Sequence, residues 1–212
     1  MARPRRDANT VDARIRIQNA FWQLLEEHQL REITVGTITA QAQCNRGTFY
    51  YHYRDLDDLI FNAIEEGLVG EHALAHNIFH ICTDGSYSKL FSEHNLDLYH
   101  MGLLLNRGGM DMVLVKVTDI IKGMWRSVLC PNGGELTSEA QAIIEFTAGG
   151  VLSVLVQNNA VTSGNTQPDP GFLKSMEDNS RSAVARLAAA QGLSKNELDL
   201  RIAAVEKFSR MR

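Results

Sequence analysis

The stretch that decides the fold is Ile33–Leu59, which reads ITVGTITAQAQCNRGTFYYHYRDLDDL. Its inward-facing residues recur four positions apart, as Ile38 with Ala42 and again as Phe49 with Tyr53. This spacing predicts two short helices that each bury one face, separated by a tight turn. Two short helices joined in this way are typical of a helix-turn-helix motif.

Capping residues indicate where the helices of this stretch begin. Thr34 is placed to cap a helix over residues 35–42, and the next helix is predicted over residues 46–53. Asp55 is placed to cap a longer helix, whose apolar pattern extends from residue 56 to about residue 81. With a first helix ahead of them, these elements predict a helical bundle that contains the motif.

The helix over residues 46–53 has the composition of a recognition helix. It combines a charged donor, hydroxyl groups and aromatic rings with little bulk at its N-terminal end. Its predicted outward-facing residues are Arg46, Gly47, Thr48, Tyr50, Tyr51 and His52. We expect Arg46 and Thr48 near base edges, and Tyr50 and His52 at phosphates. The backbone N–H groups opened at the Thr34 cap are expected to add an anion site.

Over residues 10–62 the chain resembles the tetracycline-repressor (TetR) family of transcriptional regulators. The residues that match the family pattern in order are Thr34, Ile38, Ala42, Gly47, Thr48, Phe49, Tyr50, His52 and Tyr53. The resemblance implies an all-α fold, with a DNA-binding helix-turn-helix domain and arm over residues 1–54. It further implies a helical effector-binding and dimerisation domain over residues 55–212. The implied function is that of a homodimeric repressor, which a small-molecule effector releases from a palindromic operator in double-stranded DNA.

Two positions depart from the family pattern. Gln43 stands in the turn where the family usually has Gly, and Leu56 stands where the family usually has a phosphate-binding Lys. Arg54 lies two residues from Leu56 and offers a replacement cation. An alternative function therefore stays open: a dimeric ligand-binding or interaction protein of the same fold that has lost its DNA affinity.

The charge distribution suits a protein with one end that faces phosphate. The net charge is −4, but residues 1–54 carry eight arginines and five acidic residues, a net +3. The remaining residues carry 13 basic and 20 acidic residues, a net −7. In the N-terminal arm, Arg3, Arg5 and Arg6 either enter a minor groove or follow phosphates, or else form a solubilising disordered tail.

The sequence argues against several other classes of protein. Its three cysteines are widely spaced and odd in number, which does not fit a secreted disulfide framework. No run of about 18 apolar residues could span a bilayer, so we expect a cytoplasmic protein without membrane contact. His72, His76 and His80 lack a completing ligand for a metal, and solvent-exposed histidines are the favoured interpretation. Without a nucleophile elbow or phosphate loop, neither an enzyme nor a cofactor is expected.

The C-terminal half predicts a dimerisation surface. Ser138 and Gln141 form a predicted capping box for an apolar helix that runs to about residue 159, and a second long helix starts at Asp169-Pro170. Adjacent glycines inside the first of these helices suit the close approach of another helix. The predicted interface residues are Gly149, Gly150, Leu152 and Leu155.

Methionines and aromatic residues concentrate between the two ends of the chain. Met101, Met110, Met112 and Met124 lie close in sequence to Tyr99 and Trp125. Such residues line adaptable apolar cavities, and they also make ordinary cores, so both interpretations stay open. If a cavity forms, its predicted effector-binding residues are Phe79, Tyr99, Met112, Met124, Trp125 and Phe146.

Overall fold

The computed structural model describes residues 12–69, 95–157 and 169–209. All regular structure in these ranges is helical, which confirms the predicted all-α fold. The helices are α1 (Ala13–Glu27), α2 (Val35–Gln41), α3 (Arg46–His52), α4 (Leu56–Val69), α5 (Asn95–Asn106), α6 (Met110–Leu129), α7 (Ser138–Gln157), α8 (Pro170–Ala190) and α9 (Lys195–Ser209). A single 3₁₀ turn, Leu30–Glu32, joins α1 to α2.

Local side chains start several of these helices where the sequence predicts. The Thr34 hydroxyl accepts a hydrogen bond from the Thr37 N–H at 3.2 Å. The Asp55 carboxylate accepts one from the Asp58 N–H at 2.8 Å, at the start of α4. Both predicted caps are therefore confirmed. The predicted continuation of this fourth helix from residue 70 to residue 81 lies outside the described residues.

The predicted start of α8 is also confirmed, and so is that of a final helix over residues 195–210, which Ser194 with Glu197 predicts. The Asp169 carboxylate accepts a hydrogen bond from the Phe172 N–H at 3.0 Å, directly before Pro170. Ser194 and Glu197 form a reciprocal capping box at α9, with N–H donors at 2.9 and 3.3 Å. These hydrogen bonds from Ser194 lower the pKa of the Glu197 carboxyl because they stabilise its charged form.

The predicted capping box of Ser138 with Gln141 is wrong, because Thr137 occupies the capping position of α7. The Thr137 hydroxyl accepts from the Ala140 N–H at 3.2 Å, and its carbonyl accepts from the Gln141 N–H at 3.0 Å. Contacts with the end of α8 hold Thr137 there. Its N–H donates to the Gln191 side chain at 2.8 Å. Tertiary contacts therefore decide that Thr137, and not the adjacent Ser138, caps α7.

Two clusters of buried side chains hold the helices together. The main cluster joins α1 to α4 with α5 to α8, and its members include Ile17, Phe21, Leu25, Ile38, Phe49, Tyr53, Leu59, Ile64, Leu104, Val113 and Leu152. The C-terminal cluster joins α6 to α9, and its members include Trp125, Val128, Leu136, Ile144, Leu187, Leu198 and Ile202. The main cluster is continuous across residue 54, where the sequence predicts a domain boundary. The N-terminal helices therefore pack directly on the rest of the fold.

The turn between α2 and α3 contains a strained backbone at Gln43. Its φ is +51°, the left-handed region that a residue with a Cβ enters at a cost of about 1–2 kcal/mol. The turn thus requires a left-handed backbone conformation, for which the resembled family usually has Gly. In this chain Gln43 adopts that conformation although it carries a side chain.

We expect Gln43→Gly to raise the free energy of unfolding by about 0.5–1 kcal/mol, because the relieved strain exceeds the extra entropy of glycine in the unfolded chain. Gln43→Ala is the matched control and should give no such gain, since alanine keeps a Cβ at the same φ. Urea denaturation of the three proteins measures the difference. Equal stability of the Gly and Ala variants would contradict the strain at this turn.

Candidate nucleic-acid interface

The first turn of α3 is organised by Asn45. Its side-chain oxygen accepts hydrogen bonds from the Thr48 N–H at 2.8 Å and from the Thr48 hydroxyl at 3.2 Å. A Cβ added at Gly47 would lie 3.1 Å from the same oxygen, so glycine leaves room for this cap. The sequence pattern predicted no role for Asn45, although asparagine directly before a helix is a strong capping signal.

The seven residues of α3 divide into a buried and an exposed face. Phe49 is fully buried and the following Tyr53 is 2% exposed, whereas Tyr50 is 57% and Tyr51 84% exposed. Arg46 and Gly47 are exposed, and Thr48 and His52 are half-buried. Four of the six predicted outward-facing residues are therefore exposed, on a helix that Phe49 fixes in the core.

The exposed rings rest on neighbouring side chains. Tyr50 packs edge-on against Phe49, with ring centroids 5.5 Å apart, and Tyr51 packs edge-on against His52 at 5.0 Å. At the end of the helix, burial raises the pKa of the Tyr53 phenol, and the nearby Arg14 charge opposes part of that shift. These contacts restrict the aromatic side chains at the surface of α3.

The N-terminal ends of α2 and α3 lie side by side. A Cβ added at Gly36 would lie 3.2 Å from Arg46 Nη2 and 3.6 Å from Thr34 Oγ1. Arg46 therefore lies over the first turn of α2, where Gly36 makes room for it. Thr34 and Thr37 exchange hydrogen bonds in a capping box at 2.9 and 3.2 Å. Two of the N–H groups at this cap are thus already satisfied by the protein.

The departure from the family pattern at Leu56 has a structural explanation. Leu56 is half-buried and packs against the main cluster, so it contributes packing where the resembled family has a lysine. The Arg54 side chain is 84% exposed, and its guanidinium lies 3.5 Å from Asp58. The Arg54 N–H donates to the same carboxylate at 2.9 Å, which fixes the backbone at this point. Arg54 is therefore an exposed cation directly after α3.

Several predicted residues lie outside the described residues. They are Arg3, Arg5 and Arg6 of the arm, the three histidines His72, His76 and His80, and Phe79 of the effector set. Within residues 12–69, 95–157 and 169–209, no group of three or more potential ligands could hold a metal ion. Nor does any helix in those ranges have the length and apolar character to cross a bilayer.

The five described effector residues lie in different parts of the fold. Trp125 is buried in the C-terminal cluster, where Met124 packs beside it. Met112 and Tyr99 pack against the main cluster, and the Tyr99 hydroxyl lies 3.4 Å from the Glu26 carboxylate. Burial and this carboxylate raise the pKa of Tyr99. Phe146 is 79% exposed on the outer side of α7, so the structure places it apart from the other four.

The predicted dimer residues also divide between two sides of α7. Leu152 is buried in the main cluster, because it continues the inward stripe of Ala140, Ile144 and Ala148 at four-residue spacing. A Cβ at Gly149 would lie 3.8 Å from Leu114 of α6, whereas one at Gly150 would meet nothing within 4 Å. The side chain of Leu155 lies outside the described part of the chain. Gly150 alone of the described three faces away from the fold.

Gly150 and Phe146 border an open groove of about 230 Å³ between α7 and α8. Apolar side chains from both helices line it, among them Val151 and Val154 from α7 and Phe172 from α8. An exposed apolar surface between two long helices is a feature of interaction sites.

Comparisons with known proteins leave the family of this chain open. No family model matches the chain, and no curated protein matches it. Among solved structures it is similar to the "Dihydroxyacetone kinase operon activator DhaS", with 15% identity and a TM-score of 0.43. The alignment covers 85% of this chain and 96% of that chain. A likeness of this size does not indicate a function.

We expect Asn45→Ala to lower the free energy of unfolding by about 1 kcal/mol, because α3 loses the acceptor for its first-turn N–H groups. Asn45→Ser is the matched control and should restore most of the loss, since serine is also a good capping residue. Thermal and urea denaturation measure both variants. A stability of Asn45→Ala equal to that of the parent protein would show that this cap contributes nothing.

Proposed function

We propose that this chain is a DNA-binding transcriptional regulator that inserts α3 into the major groove of double-stranded DNA. The observation that carries the proposal is the division of α3 into two faces. Phe49 and Tyr53 anchor one face in the main cluster, while Arg46, Tyr50 and Tyr51 extend from the other. A short, rigidly held helix with an arginine and hydroxyl-bearing rings at its surface has the donors that DNA recognition uses.

The position of each group suggests its role. Arg46, Gly47 and Thr48 occupy the N-terminal turn, the part of a recognition helix that reaches base edges. Tyr50 and His52, with Thr34 on the neighbouring helix, are assigned to phosphates, and Tyr51 to the adjoining groove wall. Because Leu56 carries no charge, the exposed guanidinium of Arg54 is assigned to the phosphate contact near this position. In this proposal residues 1–54 form the DNA-binding part, and the arm with Arg3, Arg5 and Arg6 follows the minor groove.

DNA binding is tested by footprinting and mobility shifts on the DNA that flanks the chain's own gene. Arg46→Ala should relax sequence preference, since a base contact contributes about 1–3 kcal/mol of discrimination. Tyr50→Phe should weaken binding equally on specific and random duplexes, because a phosphate contact carries no sequence information. Arg181→Ala, which removes an exposed arginine from α8, is the control for the loss of one charge.

The parent protein should show a salt-dependent shift, because binding releases counterions from the phosphates. If it shifts no duplex at low salt, the proposal is wrong. The alternative, a ligand-binding or interaction protein of the same fold without DNA affinity, would then take its place.

We further propose that the chain acts as a homodimer through the groove between α7 and α8. Phe146 is 79% exposed there, and Gly150 leaves open space beside it. A second copy related by a two-fold axis would cover this apolar surface with the same surface of its own, in a four-helix arrangement. The two copies of α3 would then need a spacing of about 34–36 Å, or a multiple of it, to read a palindrome.

An effector completes the proposed mechanism. A small apolar or amphipathic molecule bound in the helical part after residue 54 would shift α4, change the spacing of the two recognition helices and release the operator. In this proposal the protein represses transcription in the cytoplasm and has no enzymatic activity.

We expect Gly150→Leu to weaken the dimer, because a leucine would fill space that is open in the protomer but covered in the assembly. Gly123→Leu is the matched control: this glycine is also mid-helix and exposed, and nothing lies within 4 Å of its added Cβ. Analytical ultracentrifugation should show dissociation for Gly150→Leu alone. An unchanged dimer for both variants would place the interface elsewhere.

A further inference from the structure

A cavity of about 210 Å³, open to solvent on one side, lies where α1 meets α4 and α5. Trp22 of α1 and His100 of α5 stack at its side, with their rings 4.2 Å apart and 3° from parallel. The floor is apolar and is formed by Ala63, Ile64, Met101 and Leu104. The cavity therefore lies between α1, which supports α3, and the two helices α4 and α5.

The polar rim of the cavity is already neutralised by the protein. The Glu66 carboxylate pairs with the Arg14 guanidinium and accepts a hydrogen bond from the Gln18 side chain at 2.7 Å. Each carboxylate oxygen has two acceptor sites, so Glu66 can accept a further hydrogen bond. The rim therefore suits an uncharged group that donates one hydrogen bond rather than an ion.

We propose that this cavity binds a small neutral aromatic molecule with one hydroxyl or N–H group. The ring would lie on the apolar floor beside the stacked Trp22 and His100, and its donor would reach Glu66. An apolar cavity of about 150 Å³ is sufficient for benzene, whereas drug-sized ligands occupy about 300–1,000 Å³. The volume is therefore sufficient for a single aromatic ring. The cavity is separate from the predicted effector residues Tyr99, Met112, Met124, Trp125 and Phe146, none of which lines it.

The position of the cavity gives its occupant a route to the DNA-binding helices; this part of the inference rests on the proposed function. Hydrogen bonds fix the C-terminal end of α1 to the body: Leu30 N–H donates to the Arg107 carbonyl at 2.9 Å, and the Arg107 guanidinium donates to the Glu26 carbonyl at 2.5 Å. Because α1 also packs on α2 and α3, a ligand that widens the cavity would tilt α1 about this fixed end and move α3.

Binding is tested on the full chain with 4-fluorophenol as the probe, by ¹⁹F NMR titration. We expect saturable binding to the parent protein. It should be at least tenfold weaker in Ala63→Leu, which fills the floor. Ala203→Leu, an exposed change of the same size on α9, should bind as the parent does. The probe 4-fluorotoluene, which lacks the donor, should bind several-fold more weakly than 4-fluorophenol.

If Ala63→Leu does not fold, nuclear Overhauser contacts in the parent protein decide the question. The probe's ring protons should contact the Trp22 indole and the Met101 methyl group. No saturable binding, or contacts only elsewhere, would overturn the site. In a separate arm, the bound probe should change the affinity for duplex DNA, and unchanged affinity would overturn the coupling alone. A protein that binds no duplex would refute the proposed function while the NMR result still stands.

Discussion

The burial of Phe49 and Tyr53 is the constraint on which the proposed DNA-binding surface depends. Isolated helices shorter than about 12–15 residues are marginal in water, and α3 has seven residues. It is stable because Phe49 is completely buried and Tyr53 nearly so, with their rings 5.7 Å apart against the side chains of α1. Every exposed group of α3 takes its position from this anchor.

The same packing connects the N-terminal helices to the rest of the molecule. From Tyr53 the main cluster continues through Leu59 and Ile64 of α4 to Leu104 of α5. A second connection runs through Arg107 after α5, whose carbonyl accepts from the Leu30 N–H and whose guanidinium donates to the Glu26 carbonyl. A displacement of α4 or α5 must therefore be accommodated at α1, and through α1 at α3. The cavity beside Trp22 is lined by Ile64 and Leu104 of the first connection.

The outer side of α7 and α8 contrasts with this continuous core. The inward stripe of α7 is complete within the protomer, from Ala140 to Leu152, yet Phe146 projects into solvent. Removing an exposed aromatic side chain from water contributes about 1.5–3 kcal/mol. A partner surface that covers this groove would therefore stabilise the assembly. The proposed dimer therefore rests on the exposed apolar groove between α7 and α8, and the core of each protomer is complete without it.

The sequence by itself determined the helical class, the starts of α2, α4, α8 and α9, and the two faces of α3. Capping depends on a side chain two or three residues from the N–H it satisfies, and four-residue spacing defines a face, so both are local. Gln43 was also recognisable as an unusual turn residue, although its left-handed backbone appears only in the structure.

Only the tertiary structure decided which sides of the apolar helix α7 are covered. Its sequence is apolar on several sides, so periodicity did not separate Phe146, which is exposed, from Leu152, which is buried. Thr137 rather than Ser138 caps that helix, because Gln191, 54 residues away, binds the Thr137 N–H. The cavity between α1, α4 and α5 likewise joins Trp22 to His100, which are far apart in the chain. Each of these features depends on contacts between distant segments, and such contacts leave no periodic signal in the sequence.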